Sequence, residues 1–398
     1  MSIKLNASPL SSTDNDIEIE RVVSTFSEGD REELSSGLIE VLGSSDIVKI
    51  LDENRDSGPG SLREVLRVCR ILGKTDASLA WIAGVSNSAW TMRGCFHSLE
   101  AQPYSMERNK ILAMVLGRPG LLKKNPTSNQ WLLNGEWRYA SGSTYASYFF
   151  CLATVEGADT QDIQVVAVPA EQLDVAASWN SAGLRGTQSL TVRARDIEIP
   201  NSNVENYSHI LSGENRRLNA LAGREEHASY AGLFTGVLMN CLVGSMLGAT
   251  EAGLEYVAAA AGKHPVLGST YTSMSDSGAI RSEIGRLWSS FDIYQRAAEF
   301  NADTIDHAAR KPEITLTTED RVAIRGRATQ IMRGCLSIVQ DLLWIYGASG
   351  LDKGSPLERI WRDVNVGARH GGFSKFVPEE AIGLSRVERD PKELTRMF

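Results

Sequence analysis

The chain has no excess of positive charge. Its formal net charge is −8 over 398 residues, and no Lys/Arg cluster stands out. That argues against a nucleic-acid partner, where a basic stripe is the electrostatic footprint. Cysteine is scarce. Cys69, Cys95, Cys151, Cys241 and Cys335 are scattered, odd in number and never spaced C-x-x-C. This argues against a disulfide framework and a zinc site, and for a reducing, cytoplasmic setting. The first residues, Met1 to Asp16, are polar and lack the apolar stretch of a signal peptide. No long apolar run is uninterrupted: Leu233 to Ala249 contains Asn240 and Ser245, is too short to span a bilayer, and reads as a buried helix. There is no G-x-G-x-x-G after a strand; Gly347, Gly350 and Gly354 have the wrong spacing and fall between helices, against a nicotinamide-binding Rossmann site. Walker A, metal-cluster and G-x-S-x-G patterns are also missing. With no reaction evident from side chains alone, a cofactor is expected to carry the chemistry.

What is present is an ordinary globular composition, 42% apolar and 23% charged, on a chain long enough for two or three domains or layers. Residues 15 to 115 read as helical. Leu34, Leu38, Ile39, Val41 and Leu42 share one face. Ser61 to Glu64 is a capping box for a helix that stops at Gly73, and another helix begins near Asp76. From about 116 to 212 the pattern becomes strand-like, with runs at Trp131–Tyr139, Tyr148–Val155, Ile163–Val168 and Leu190–Ile199. From about 215 it is helical again. Ile280, Ile284, Leu287, Phe291, Tyr294 and Ala298 form a packing seam. Thr317 to Asp320 caps the next helix, Gly347 to Gly350 ends it, and Pro356 opens the last helical segment. The expected architecture is α+β, with an N-terminal α-helical domain (1–115), a middle β-barrel (116–214) and a C-terminal four-helix bundle (215–398).

The stretch Leu133 to Ala153 is the most informative. Asn134-Gly135 is a turn dipeptide, Trp137, Tyr139 and Tyr148 to Leu152 suit strands, and Ser141-Gly142-Ser143 is small, polar and bulge-prone. A bulge there turns hydroxyls and backbone N–H groups toward a ligand; an ordinary hairpin corner is the alternative. The whole stretch resembles the middle β-domain of the acyl-CoA dehydrogenase superfamily. Two further blocks resemble it in the right order. Gly183-Leu-Arg-Gly-Thr-Gln-Ser189 with Asp196-Ile-Glu-Ile-Pro200 is similar to a strand pair of that superfamily, and Leu357-Glu-Arg-Ile-Trp-Arg-Asp363 to the segment before its last helix.

The resemblance implies a flavin site. In acyl-CoA dehydrogenases a glutamate takes the α-proton of a thioester, and its commonest position, counted from Arg362-Asp363, falls here on Gly371, which has no side chain. The loose alternative on the first bundle helix falls near Asn240, with Glu225, Glu226 and Glu251 the nearest carboxylates. Beside Gly371 stands His370. This, with Thr75-Asp-Ala-Ser-Leu-Ala-Trp81, resembles the flavin-dependent monooxygenase branch of the same fold, which includes p-hydroxyphenylacetate hydroxylase oxygenase, dibenzothiophene monooxygenase and the nitrososynthases.

That branch implies the oxygenase component of a two-component system. Reduced flavin, FAD or FMN, comes from a separate flavin reductase and reacts with O2 to a C4a-hydroperoxide. This oxygenates a small aromatic or amine substrate, expected in a biosynthetic pathway. His370 is expected to deprotonate or orient the substrate, with an ordinary pKa of about 6.5 that suits both tasks. Ser141 and Ser143 are expected near the flavin N5, with Tyr139, Arg185 and Lys263 as further cofactor contacts, Lys263 toward an adjacent subunit. Trp90, Tyr139 and Phe373 are expected to line the pocket, and Asn87 stands where several relatives carry a pocket histidine. A homotetramer is implied, with no membrane and no nucleic acid. The alternative is a dehydrogenase or desaturase acting on an acyl thioester with an atypical base.

Overall fold

A computed structural model describes residues 14–27, 32–52, 60–96, 110–159, 162–176, 178–212, 230, 233–311, 316–373 and 376–395. Four helices come first: α1 (Asp14–Thr25), α2 (Ser36–Ser44), α3 (Leu62–Thr75) and α4 (Ala77–Arg93). The Ser61 hydroxyl accepts from Glu64 N at 3.1 Å, one half of the expected capping box, while the Glu64 carboxylate turns to Arg67 and Asn15. Asp76 caps the helix expected to begin near it, accepting from Ser78 N and Leu79 N at 2.8 and 3.1 Å. The first of these helices ends at Thr75, two residues past Gly73. Gly73 is needed elsewhere: a Cβ on it would stand 2.6 Å from the Ser245 carbonyl oxygen of a crossing helix.

Seven strands follow: β1 (Leu112–Lys124), β2 (Trp131–Ala140), β3 (Tyr148–Val155), β4 (Ile163–Pro169), β5 (Asp174–Val175), β6 (Leu190–Ile199) and β7 (Val204–Asn206). Their order is β5-β6-β2-β1-β3-β4-β7, with β1 and β3 parallel and every other pair antiparallel. The expected closed barrel is not what forms. The two ends of this order do not pair, and β5 and β7, of two and three residues, are too short to bring them together. β1 is a strand that begins where the sequence reads as helical and precedes the first strand-like run expected, at Trp131. Gly117 and Pro119 sit inside it, where its pairing with β3 shifts register between Val115 and Gly120, and a proline is tolerated at such an irregularity. Asn134-Gly135 is not a turn either. It lies within β2 beside a register shift, and a Cβ on Gly135 would meet the Trp137 ring at 2.7 Å.

Side chains alternate across β3. Tyr148, Phe150 and Leu152 join the core shared with the helices, whereas Phe149, Cys151 and Ala153 join a second core with Leu133, Trp137, Val166 and Val192. The Trp137 indole N–H donates to the Leu152 carbonyl at 3.0 Å inside that second core.

After the short α5 (Tyr207–Ser212) come α6 (Phe234–Ala260), α7 (Gly278–Arg310), α8 (Thr318–Tyr346), α9 (Pro356–Gly367) and α10 (Val377–Arg386). α6 is the central rod, with α3, α4, α7, α8 and α9 all packed on it. It is the one described helix long and apolar enough to cross a membrane, and 94% of its most apolar window is buried inside the protein. Thr317 and Asp320 form the expected capping box of α8, and Gly347 ends it at φ +84°. The seam read over 280–298 turns Leu287, Phe291 and Ala298 into the core. All five cysteines are free and buried.

Candidate active site

A cavity of about 630 Å³ lies where α4, the ends of β1 and β2, the 179–189 loop, α6 and the end of α9 meet. That size suits a drug-sized ligand or a cofactor ring with a small partner. Its inner wall is apolar, from Val85, Met114, Leu238, Met239, Leu242 and Val366. Its polar groups include the hydroxyls of Ser141, Ser181, Thr187 and Ser189 and the imidazole of His370. The cations Arg138 and Arg369 also line it, and no described lining residue is a carboxylate.

The strand end delivers Ser141. β2 loses register with β6 between Trp137 and Ala140, and Tyr139 takes φ +61°, which leaves its ring 73% exposed and edge-on to Trp179 at 5.9 Å. The chain then turns at Gly142, φ +80°, whose N–H donates to the Thr187 carbonyl at 2.8 Å. Ser141 is thereby set against Ser189, Oγ to Oγ 2.8 Å, and receives the Trp81 indole N–H at 3.2 Å. Ser189 meets Thr187 Oγ1 at 2.7 Å, and Thr187 donates to the Leu184 carbonyl at 2.7 Å. Ser143 faces away. Its hydroxyl is spent on the Gln188 carbonyl and it accepts from Leu190 N at 3.3 Å.

The 184–188 turn has left-handed residues at both ends, Leu184 (φ +50°) and Gln188 (φ +44°). Such backbone persists only where the surroundings hold it. Here Asp363 of α9 accepts the Leu184 N–H at 2.7 Å, and buried Gly183 lies so close to α9 that a Cβ would stand 2.3 Å from the Arg362 carbonyl oxygen. Burial, and then the neighbouring Asp76 carboxylate, push Asp363 up to about 7. Asp76 is itself bridged by Arg359 at 2.9 Å. The second and third sequence blocks therefore dock on each other.

His370 follows α9, its N–H on the Gly367 carbonyl at 3.1 Å. Its ring packs edge-on to Trp81 at 5.6 Å and tilted against Phe373 at 6.0 Å. Nδ1 accepts the Gly372 N–H at 3.2 Å. No ionised group offsets the loss of hydration, so its pKa is pushed down to about 4. A Cβ on Gly372 would stand 2.2 Å from the end of the Met239 side chain, which would have to move, while Arg325 Nε donates to the Gly372 carbonyl at 3.2 Å from α8.

The cavity thus gathers His370, Ser141 and Tyr139 from the residues singled out in the sequence. Phe373 is buried behind the His370 ring. Asn87 and Trp90 lie elsewhere. Trp81 and Val85 line the cavity from α4, and at 3.6 residues per turn Trp90 points about 180° from Trp81. Trp90 donates to the Lys110 carbonyl at 3.0 Å, and Asn87 ties to the Ile47 and Ala83 carbonyls at 2.8 and 2.9 Å. Arg185 pairs with Glu32 at 2.6 Å in a separate polar crevice. Lys263 follows the far end of α6, whose last residue, Ala260, is about 27 Å along the helix axis from Leu242. Of the alternative bases, Glu251 is held by Arg70 at 2.7 Å and Asn240 accepts from Asn301 at 3.1 Å, whereas Glu225 and Glu226 lie outside the described residues. Trp81, Thr187 and Ser189 belong to the site though none was singled out for it. Their only signal was membership of blocks that resemble a known fold.

Comparison with known proteins agrees with that resemblance. Residues 240–375 match the acyl-CoA dehydrogenase C-terminal domain. The chain is 25% identical over 345 residues to the FADH(2)-dependent resorcinol hydroxylase oxygenase component of Rhizobium sp., covering 84% of this chain and 82% of that protein. It is 23% identical to indole-3-acetate monooxygenase of Acinetobacter baumannii, over 85% and 83% of the two chains. Among solved structures, XiaF from Streptomyces sp. in complex with FADH2 and glycerol superposes with a TM-score of 0.85 at 23% identity, over 95% and 96% of the chains. The ternary complex of TdsC from Paenibacillus sp. A11-2 with FMN and indole gives 0.77 at 16%, over 94% and 96%. The chain has the acyl-CoA dehydrogenase-like fold, with helices around a mixed sheet.

Proposed function

We infer that this chain of the acyl-CoA dehydrogenase superfamily is the oxygenase component of a two-component flavin-dependent monooxygenase. The observation that carries the reading is the cavity itself: the hydroxyls of Ser141, Ser181, Thr187 and Ser189 and the imidazole of His370 against an apolar wall, with no carboxylate among the described lining residues. A thioester dehydrogenase needs a base on the substrate α-carbon, and the position where that base commonly stands is Gly371, next to His370.

The residues present fit a flavin. Ser141 and its hydroxyl neighbours offer hydrogen bonds at one wall, Trp81 and Trp179 offer aromatic surface, and Arg138 and Arg369 offer positive charge to a phosphate-bearing ligand. Reduced flavin, when bound, supplies the activation of O2. The protein's part is to place the substrate and keep water out. His370 is neutral at pH 7, and with Nδ1 occupied by Gly372 its proton sits on Nε2. We therefore assign His370 to orienting the substrate by donating from Nε2. Direct deprotonation through Nε2 would first require the other tautomer. The apolar wall limits water, which lowers the loss of oxidising equivalents as hydrogen peroxide.

The reading extends to a flavin reductase as electron source and a small aromatic or amine substrate. It further places the enzyme in the cytoplasm, as a homotetramer of three-domain subunits with boundaries near 115 and 214. Arg185 and Lys263 then face the flavin of a neighbouring subunit, and neither is placed at the cavity of its own.

The test supplies chemically reduced FMN or FAD anaerobically, mixes with oxygenated buffer plus candidate phenols, indoles and amines, and measures product against hydrogen peroxide. Product formed without added nicotinamide supports the reading. Failure to bind flavin, or bleaching of bound oxidised flavin by an acyl thioester, would refute it.

A further inference from the structure

We propose that Thr187 determines which redox form of flavin the cavity selects, by fixing Ser141 as a hydrogen-bond acceptor toward the ligand. The inference rests on the flavoprotein reading above and concerns the direction of four hydrogen bonds. The Leu184 carbonyl can only accept, so the contact at 2.7 Å takes the single hydroxyl proton of Thr187. Thr187 must then accept in its 2.7 Å contact with Ser189, which spends the proton of Ser189. Ser189 must in turn accept from Ser141 at 2.8 Å, which spends the proton of Ser141. At the other end the Trp81 indole can only donate, and it gives its N–H to Ser141 at 3.2 Å.

This is the only assignment in which all four contacts are hydrogen bonds. It runs one way, from Trp81 through Ser141, Ser189 and Thr187 to the Leu184 carbonyl. That carbonyl is held in place, because the Leu184 N–H is anchored on Asp363 at 2.7 Å and Gly183 is pressed on α9. Ser141 lines the cavity with a lone pair available and no proton to give. A ligand that presents an N–H there is favoured, and one that presents a lone pair is opposed. Two-electron reduction adds a proton at flavin N5, so the reduced ring carries an N–H where the oxidised ring carries a lone pair. The wall is built for the reduced form.

The test measures Kd for reduced and oxidised FMN and FAD, by anaerobic and aerobic fluorescence titration of the full chain. The native chain should bind the reduced form more tightly. Thr187→Val, close in shape, removes the acceptor for Ser189 and frees the relay to reverse, so the ratio of the two affinities should fall about tenfold, the scale of one net hydrogen bond. Thr187→Ser keeps the hydroxyl and should restore the ratio. Ser189→Ala breaks the relay one link earlier and should lower the ratio as well, which provides a second reading if the valine variant folds poorly. A merely structural role would weaken both forms alike; that result, or an unchanged ratio in Thr187→Val and Ser189→Ala, would overturn the inference. Equal affinity of the native chain for both forms would also overturn it while leaving the flavoprotein reading intact. Binding of neither form by the native chain would remove that reading and this inference together.

Discussion

Gly372 donates its backbone N–H to Nδ1 of His370, 3.2 Å away. The bond decides what the imidazole can do: with Nδ1 occupied, the neutral ring presents an N–H from Nε2 to its surroundings. His370→Gln retains a donor of similar reach and His370→Ala does not. The alanine variant should still bind flavin while product per O2 consumed falls at least about tenfold, equivalent to about 1.4 kcal/mol of lost transition-state interaction. Hydrogen peroxide should make up the difference, and the glutamine variant should recover part of the yield.

The same ring carries a pH signature. Its folded pKa of about 4 lies below the ordinary 6.5. Between those values the unfolded chain binds more protons than the folded one, so the contribution is complete above pH 6.5 and is lost as pH falls toward 4. The loss amounts to about 3 kcal/mol at most. The Tm of the native chain should therefore drop faster than that of His370→Gln between pH 7 and 4.5. Parallel curves would mean that the imidazole is far better hydrated than its packing implies.

Asp363 works in the opposite sense. Burial and Asp76 hold its carboxyl above the usual range, at about 7. The folded state then binds the extra proton, so the contribution is fullest below about pH 3.9 and is lost as pH rises through 7. Asp363→Asn keeps an oxygen for the Leu184 N–H and removes the charge. The stability of the native chain relative to this variant should decline from pH 4 to 8, as read by urea midpoints. A constant difference would show that Arg359 and Arg362 neutralise the site completely.

Two glycines should respond in opposite ways to a single added methyl. Gly183→Ala must displace α9 backbone, since its Cβ would stand 2.3 Å from the Arg362 carbonyl oxygen. Overpacking of this kind costs about 1–3 kcal/mol. Gly371→Ala meets nothing within 4 Å, so its Tm should stay close to native. Thermal melts of the two variants side by side check both claims, and equal losses would contradict them.

The helical frame was legible because its signals are local. Ser61, Asp76 and Thr317 cap the helices their spacing announces, and Leu287, Phe291 and Ala298 face the core as their period requires. β1 was not legible, since Gly117 and Pro119 mark a pairing irregularity that looks, in one dimension, like a break. Asn134-Gly135 misled for a related reason: the glycine there makes room for the Trp137 ring, and nothing in its neighbours distinguishes that use from a turn. At the site, His370 and Ser141 came through resemblance. The relay through Ser189 and Thr187 did not, because Trp81 reaches Ser141 across sixty residues of chain. Asn87 and Trp90 share a helix with Trp81, but their polar atoms serve the backbone on its other sides.

An oxygenase that leaks peroxide endangers its own thiols first. Oxidation proceeds through the thiolate and needs access to the sulfur. Here every sulfhydryl is enclosed, and burial pushes Cys69 and Cys335 up to about 12 and Cys151 and Cys241 higher than their ordinary value. On the proposed oxygenase reading, the fold itself keeps all five thiols away from the peroxide that an uncoupled turnover would release.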